Sequence, residues 1–144
     1  MLMKALRPDK VMTLIKNYVA ETLGEAFLRP PQLDLSSCFS ESSCRAPIVF
    51  ILSPGSDPLA QLRKFAEEMH ATIHTMSLGQ GQGPRAKALL EVSTRSGDWV
   101  VLENCHLSAS WMPELGKLVA DLQHANVHSN FRLCLTSYPV SSFP

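Results

Sequence analysis

Ile48–Leu59 reads IVFILSPGSDPL: a continuous apolar run, a turn of serine, proline and glycine, and the first residues of a helix. Strand, turn and helix in that order is the layout of a phosphate-binding loop. In such a loop a glycine-rich turn aims backbone N–H groups at phosphates, a lysine grips the β- and γ-phosphates, and a Ser/Thr hydroxyl holds Mg²⁺. Laid on the pattern G-x-x-x-x-G-K-[ST], the loop runs Ser53, Pro54, Gly55, Ser56, Asp57, Pro58, Leu59, Ala60. Ser53 and Pro58 take the two glycine positions, Leu59 the lysine position and Ala60 the Ser/Thr position. The turn is kept and its chemistry is lost: Leu59 brings no positive charge, Ala60 no metal ligand, and Pro58 has no N–H to offer.

Downstream, Asp57 suits an N-cap and Pro58 an N1 position, starting a helix to about His70 with Leu59, Leu62, Phe65, Ala66 and Met69 inward. The run Ile48 to Leu52 is apolar at every position, which predicts a strand covered on both faces, as in a parallel sheet. A second, more polar strand is expected at about Thr72 to Leu78, near a sheet edge. Gly79-Gln80-Gly81-Gln82-Gly83-Pro84 reads as a tight turn with glycines at positive φ, opening a helix to about Ser96 that Gly97 closes. Trp99 to Cys105 predicts a third strand, and Phe131 to Thr136 a fourth. Between them a helix from about Trp111 to His124 buries Met112, Leu115, Leu118, Val119 and Leu122, with Ser110 as cap and Pro113 in the first turn. The order βαβαβαβ argues an α/β fold, a parallel sheet flanked by helices on both sides.

Upstream, Asp9 to Leu23 has Val11, Leu14, Ile15, Tyr18, Val19 and Leu23 at helical spacing, with Gly24 after it, and its apolar face is expected to pack on its own domain. From Ala26 to Ala46 the periodicity stops. Pro30, Pro31 and the segment SSCFSESSC read as an extended connection outside the core. The chain therefore divides, on sequence, into an N-terminal helix and connection (1–46) and an α/β domain (47–144).

At 144 residues and 45% hydrophobic, the chain is long enough for one domain with a real core. Thirteen Lys+Arg balance thirteen Asp+Glu, so it carries no electrostatic footprint for nucleic acid or an anionic membrane, and neither is an expected partner. No apolar run approaches a membrane span, and the N-terminus lacks the pattern of a secretory signal, which predicts a cytoplasmic protein. Of four cysteines, Cys105 and Cys134 sit in apolar strand-like segments where a thiol behaves as a small hydrophobe, and Cys38 and Cys44 match no common zinc spacing. The glycine loop is no dinucleotide fingerprint, because Pro84 stands for the third glycine and the loop follows the second strand. Cys105-His106 would form a thiolate–imidazolium pair only if both side chains shared a face, which adjacent strand residues do not. His124 and His128 lack a third ligand, so no metal is expected. Arg85, Arg95 and Arg132 are candidates for reaching into a neighbouring site.

The third strand ends in Glu103 and Asn104, where P-loop NTPases commonly carry two acids: one acid remains, and an amide that cannot act as a general base fills the second place. Thr136 and Ser137 occupy the region where AAA+ proteins carry a polar sensor residue. Taken together, SPGSDP, SLGQGQGP, VVLENCHLSASWMPEL and FRLCLTSYP resemble the sixth AAA+ module of dynein heavy chains, the axonemal more than the cytoplasmic kind, from about Leu6 to Pro144. The resemblance implies a P-loop NTPase-like large subdomain in a three-layer α-β-α arrangement, four strands present and a fifth missing beside the first. On that reading the chain is C-terminally incomplete, its first strand is an open edge, and the isolated chain is expected to self-associate or to be marginally stable unless something pairs with that edge. It implies a nucleotide-silent structural module with no catalytic, cofactor or metal residues of its own, in a ring whose other modules use Mg·ATP to drive movement on microtubules. Expected partners are the neighbouring AAA+ modules, dynein subunits and microtubules, and the expected location is the cytoskeleton of the ciliary axoneme. Two alternatives stand beside it: a free-standing interaction module, and a weak non-standard ATPase.

Overall fold

A computed structural model of the chain describes residues 11–28, 34–53, 57–79 and 81–140. The chain forms two compact units, residues 1–34 and residues 35–144. In the first unit, helix α1 (Val11–Leu23) leads through Gly24, at φ +99°, into a 3-10 turn at Glu25–Leu28. The packing expected of its apolar face is not found: α1 buries none of its residues, and Met12, Ile15, Tyr18 and Leu23 are each more than half exposed. Among the described residues of its own unit the helix has that short turn to pack on, too little surface to cover an apolar stripe.

The second unit is an α/β sandwich. Its elements are α2 (Leu35–Glu41), β1 (Ile48–Ile51), α3 (Pro58–Glu68), β2 (Ile73–Ser77), α4 (Gly83–Ser96), β3 (Trp99–Glu103), a 3-10 segment (Cys105–Trp111), α5 (Met112–Leu122) and β4 (Arg132–Ser137). The four strands form one sheet in the order β1-β4-β3-β2, and every pairing is parallel. Register is fixed by the alternation of side chains. Trp99 and Val101 point into one core cluster with Phe50, Leu62, Ala66 and Cys134, while Val100 and Leu102 point into the other with Ala86, Leu90, Met112, Leu115 and Leu133. A slip of one residue would exchange the two faces. Val100, Val101 and Leu102 are fully buried, each stabilising the fold by about 1.5–3 kcal/mol relative to exposure.

Three sequence expectations need correction here. β1 is covered on one face only: Phe50 is buried, whereas Val49 and Ile51 are 45% and 55% exposed, because the helices of the opposite layer lie over β2, β3 and β4. An all-apolar run signalled a strand without revealing that it sits at the end of the sheet. The serine-rich segment is not an extended connection. Residues 35–41 form α2, whose Leu35 and Phe39, one helical turn apart, pack on the sheet, with Phe39 against Phe65 and Trp99 at ring separations of 5.6 and 4.9 Å. Two serines of the segment bond back onto it, Ser40 Oγ donating to Ser37 O and Ser42 Oγ, just past the helix, to Phe39 O. Met69, expected inward, is 47% exposed, since α3 ends at Glu68 and His70 turns left-handed at φ +53°.

Candidate functional site

In an open parallel sheet, ligands bind beyond the carboxyl ends of the strands, and the degenerate loop lies at that end of β1. Leu52 N donates to Ser137 O at 2.8 Å, so the β1–β4 pairing continues to the edge of the loop. Pro54, Gly55 and Ser56 lie outside the described residues. At the far side of the turn Asp57 caps α3: its Oδ1 accepts the Leu59 N–H at 3.0 Å, and Pro58 occupies N1. A helix N-terminus attracts anions through free N–H groups and the helix dipole. Here the anion at that end is the chain's own carboxylate, and one of the N–H groups has been deleted by the proline. Leu59 packs against the Phe50–Leu62 cluster, and Ala60 is exposed.

The second acidic-motif position is also tied up. Asn104 sits at φ +58°, ψ 42°, a left-handed conformation that Asn tolerates better than most residues. From there its Nδ2 donates to Ser77 Oγ at 3.0 Å and its backbone N–H to Thr136 Oγ1 at 3.3 Å. One residue thus links the ends of β2, β3 and β4. Thr136 is 4% exposed with its hydroxyl accepting that bond, and fully buried Ser137 donates to Tyr138 O at 2.9 Å. Neither sensor-position hydroxyl is presented to a ligand. Glu103 is half-buried, its carbonyl accepting the Leu78 N–H.

The left-handed turn at Asn104 ends β3 two residues earlier than expected. Cys105 and His106 therefore open a 3-10 segment and are not strand neighbours. Cys105 is fully buried, and desolvation pushes its thiol up to about 11, away from nucleophilic use. Cys134, in the middle of the sheet, is pushed up to about 12 by the same cause. The His106 Nδ1 accepts from Tyr138 N at 3.4 Å, with the two rings edge to face. The 3-10 segment also displaces the expected cap of α5: Trp111, not Ser110, takes the N-cap position, without a side-chain bond, and Pro113 falls in the first turn as expected.

The glycine loop is a turn of mixed construction. Gly81 has φ +77°, whereas Gly83 is needed for closeness: a Cβ there would lie 2.6 Å from the Trp111 indole. Gly97 closes α4 at φ +87°, against His128. His128 Nδ1 accepts from Asn130 N, and among the described residues no three His, Cys, Asp or Glu side chains converge on a metal position. Of the three arginines, Arg132 is committed to its own chain, bonding Ser42 Oγ, Ser129 O and Phe131 O and stacking over Phe39. Arg85 and Arg95 are exposed on α4. Cavities of about 500 and 160 Å³ lie elsewhere, the first between the glycine loop and the 3-10 segment, the second between α4 and α5.

The left-handed joint and α2 were missed by sequence reasoning. An Asn directly after an apolar strand, and Leu35 and Phe39 at i, i+4 within the serine run, were the available signals.

Residues 43–144 match the family model described as dynein heavy chain region D6 P-loop domain. The chain is 46% identical over 146 aligned residues to dynein axonemal heavy chain 12 of Homo sapiens, covering 99% of this chain and 5% of that protein. It is 46% identical to dynein axonemal heavy chain 3 of Mus musculus, over 99% of this chain and 4% of that protein. The same identity holds against dynein axonemal heavy chain 1 of Rattus norvegicus, over 100% of this chain and 3% of that protein. The chain thus spans a small part of the length of these relatives.

Proposed function

The chain belongs to the dynein heavy chain family, in the region described as the D6 P-loop domain, and on that premise we propose that it is a nucleotide-silent structural module of an axonemal motor ring. In this reading it is the large subdomain of the sixth AAA+ module. It neither binds nor hydrolyses ATP, requires no cofactor or metal, and transmits strain between neighbouring modules whose Mg·ATP turnover moves the ring on microtubules in the ciliary axoneme.

The observation that carries the reading is the start of α3. Where a phosphate loop offers a lysine, a hydroxyl and free N–H groups, this chain offers Leu59, Ala60, a proline, and a carboxylate already on the Leu59 N–H. A bound phosphate would have to displace Asp57 and sit beside its charge. The bonds from Asn104 to Ser77 and Thr136 support the same reading, because they convert an acid-and-sensor pair into a tie across three strand ends.

Exchange of the matching segment of an axonemal heavy chain for this chain tests the role in the ring. The expected motor assembles, hydrolyses ATP and glides microtubules. A motor that folds and binds ATP elsewhere but no longer closes its ring would contradict it.

A further inference from the structure

The serine-rich segment plays no part in the proposed nucleotide-silent role, yet it is fastened to the sheet by an unusual contact. Ser42 lies just past the end of α2, half-buried between the exposed residues Glu41 and Ser43. Its hydroxyl donates to Phe39 O at 2.7 Å and accepts from Arg132 Nε at 2.8 Å. The same guanidinium stacks over the Phe39 ring at 4.5 Å and is braced by two backbone carbonyls through Nη1. Its Nε–Nη2 edge, the side that forks onto oxyanions, therefore faces the Ser42 side chain from a fixed position.

We propose that Ser42 is a phosphorylation site whose phosphate is read by Arg132, locking α2 onto the sheet. The phosphoryl donor is a nucleoside triphosphate brought by a protein kinase. Ser42 Oγ forms the bond to the γ-phosphorus, the bond from that phosphorus to the β,γ-bridging oxygen breaks, and the hydroxyl proton leaves through the kinase's base. The modified side chain loses its donation to Phe39 O and sets a negative charge near the end of a seven-residue helix, both unfavourable. In return, a neutral bond to Arg132 becomes a two-pronged contact with a group of charge about −2, which outweighs them because the arginine is already in place. Ser40, exposed and bonded within the helix to Ser37 O, meets no arginine among the described residues and serves as the control.

The test is the full chain with phosphoserine encoded at position 42 or at position 40, melted beside the unmodified chain. Phosphoserine at 42 should raise Tm by about 3 °C, phosphoserine at 40 should not, and the rise should shrink with added salt. Arg132→Lys, which keeps the charge and loses the fork, should abolish the rise. Should that variant fail to fold, the position-40 control and the salt series still decide. A Tm at or below that of the unmodified chain would overturn the lock. Phosphopeptide mass spectrometry after incubation with ATP and a cell extract should find label on Ser42, and label confined to other serines would overturn the assignment of the site.

Discussion

The turn before α3 and the turn before α4 both pass through glycine into a proline at the helix start, yet different groups stand beside the two helix ends. Before α3 the closing group is polar: the Asp57 carboxylate accepts the Leu59 N–H. Before α4 the cap residue Gln82 makes no side-chain bond, and the neighbour at that end is the Trp111 indole, which lies so close to Gly83 that a Cβ there would meet it at 2.6 Å. The contrast teaches that a glycine-rich, proline-bearing turn does not by itself mean an anion site. What matters is whether the N–H groups beyond it face open space or another part of the chain.

The comparison can be broken most forcefully at Gly83. A methyl group there meets the indole at 2.6 Å, so Gly83→Ala should cost about 2 kcal/mol and lower Tm on the order of 5 °C in thermal melts. An unchanged melt would show that Trp111 moves aside. Next comes the joint between the strands. Asn104→Ala loses the bond to Ser77 and forces a Cβ-bearing, non-Asn residue at φ +58°, for about 1.5 kcal/mol in denaturant titrations. Asn104→Gly should recover the part owed to backbone strain and leave only the hydrogen-bond loss.

Asp57→Ala removes the polar closure of α3 and should cost about 1 kcal/mol. The smallest effect is expected from adding the missing cap to the other turn. Gln82 has helical dihedrals, φ −82° and ψ −10°, not the extended ones of a good N-cap, so Gln82→Asp should stabilise by no more than about 0.5 kcal/mol. A gain as large as the loss from Asp57→Ala would mean that α4 wanted a cap.

Sequence carried the sheet well because its strongest strands are apolar at consecutive positions, the pattern that two-sided burial demands, and the turns between them hold Gly and Pro where the helices begin. The candidate loop was legible for the same reason: losing a lysine, a hydroxyl and an N–H is a statement about residue types, readable without coordinates. What escaped was set by tertiary placement. The four residues of β1 are apolar like the first four of β3, and only the strand order reveals that Val49 and Ile51 lie at the end of the sheet, where they are exposed. Serine content hid α2, although Leu35 and Phe39 are spaced to reach Trp99 from one helix face. Asn104 was read for the acid it lacks. Its left-handed backbone, which sends Cys105 into a 3-10 segment and ties three strands together, was not visible in its identity alone.

Titration calorimetry of the folded chain with Mg·ATP asks whether the chain's own groups occupy the place of a phosphate at the start of α3. No binding heat above dilution is expected at millimolar nucleotide, both for the native chain and for Asp57→Ala, because removing the cap restores neither the lysine nor the hydroxyl. A saturable isotherm with micromolar affinity for the native chain would contradict that expectation.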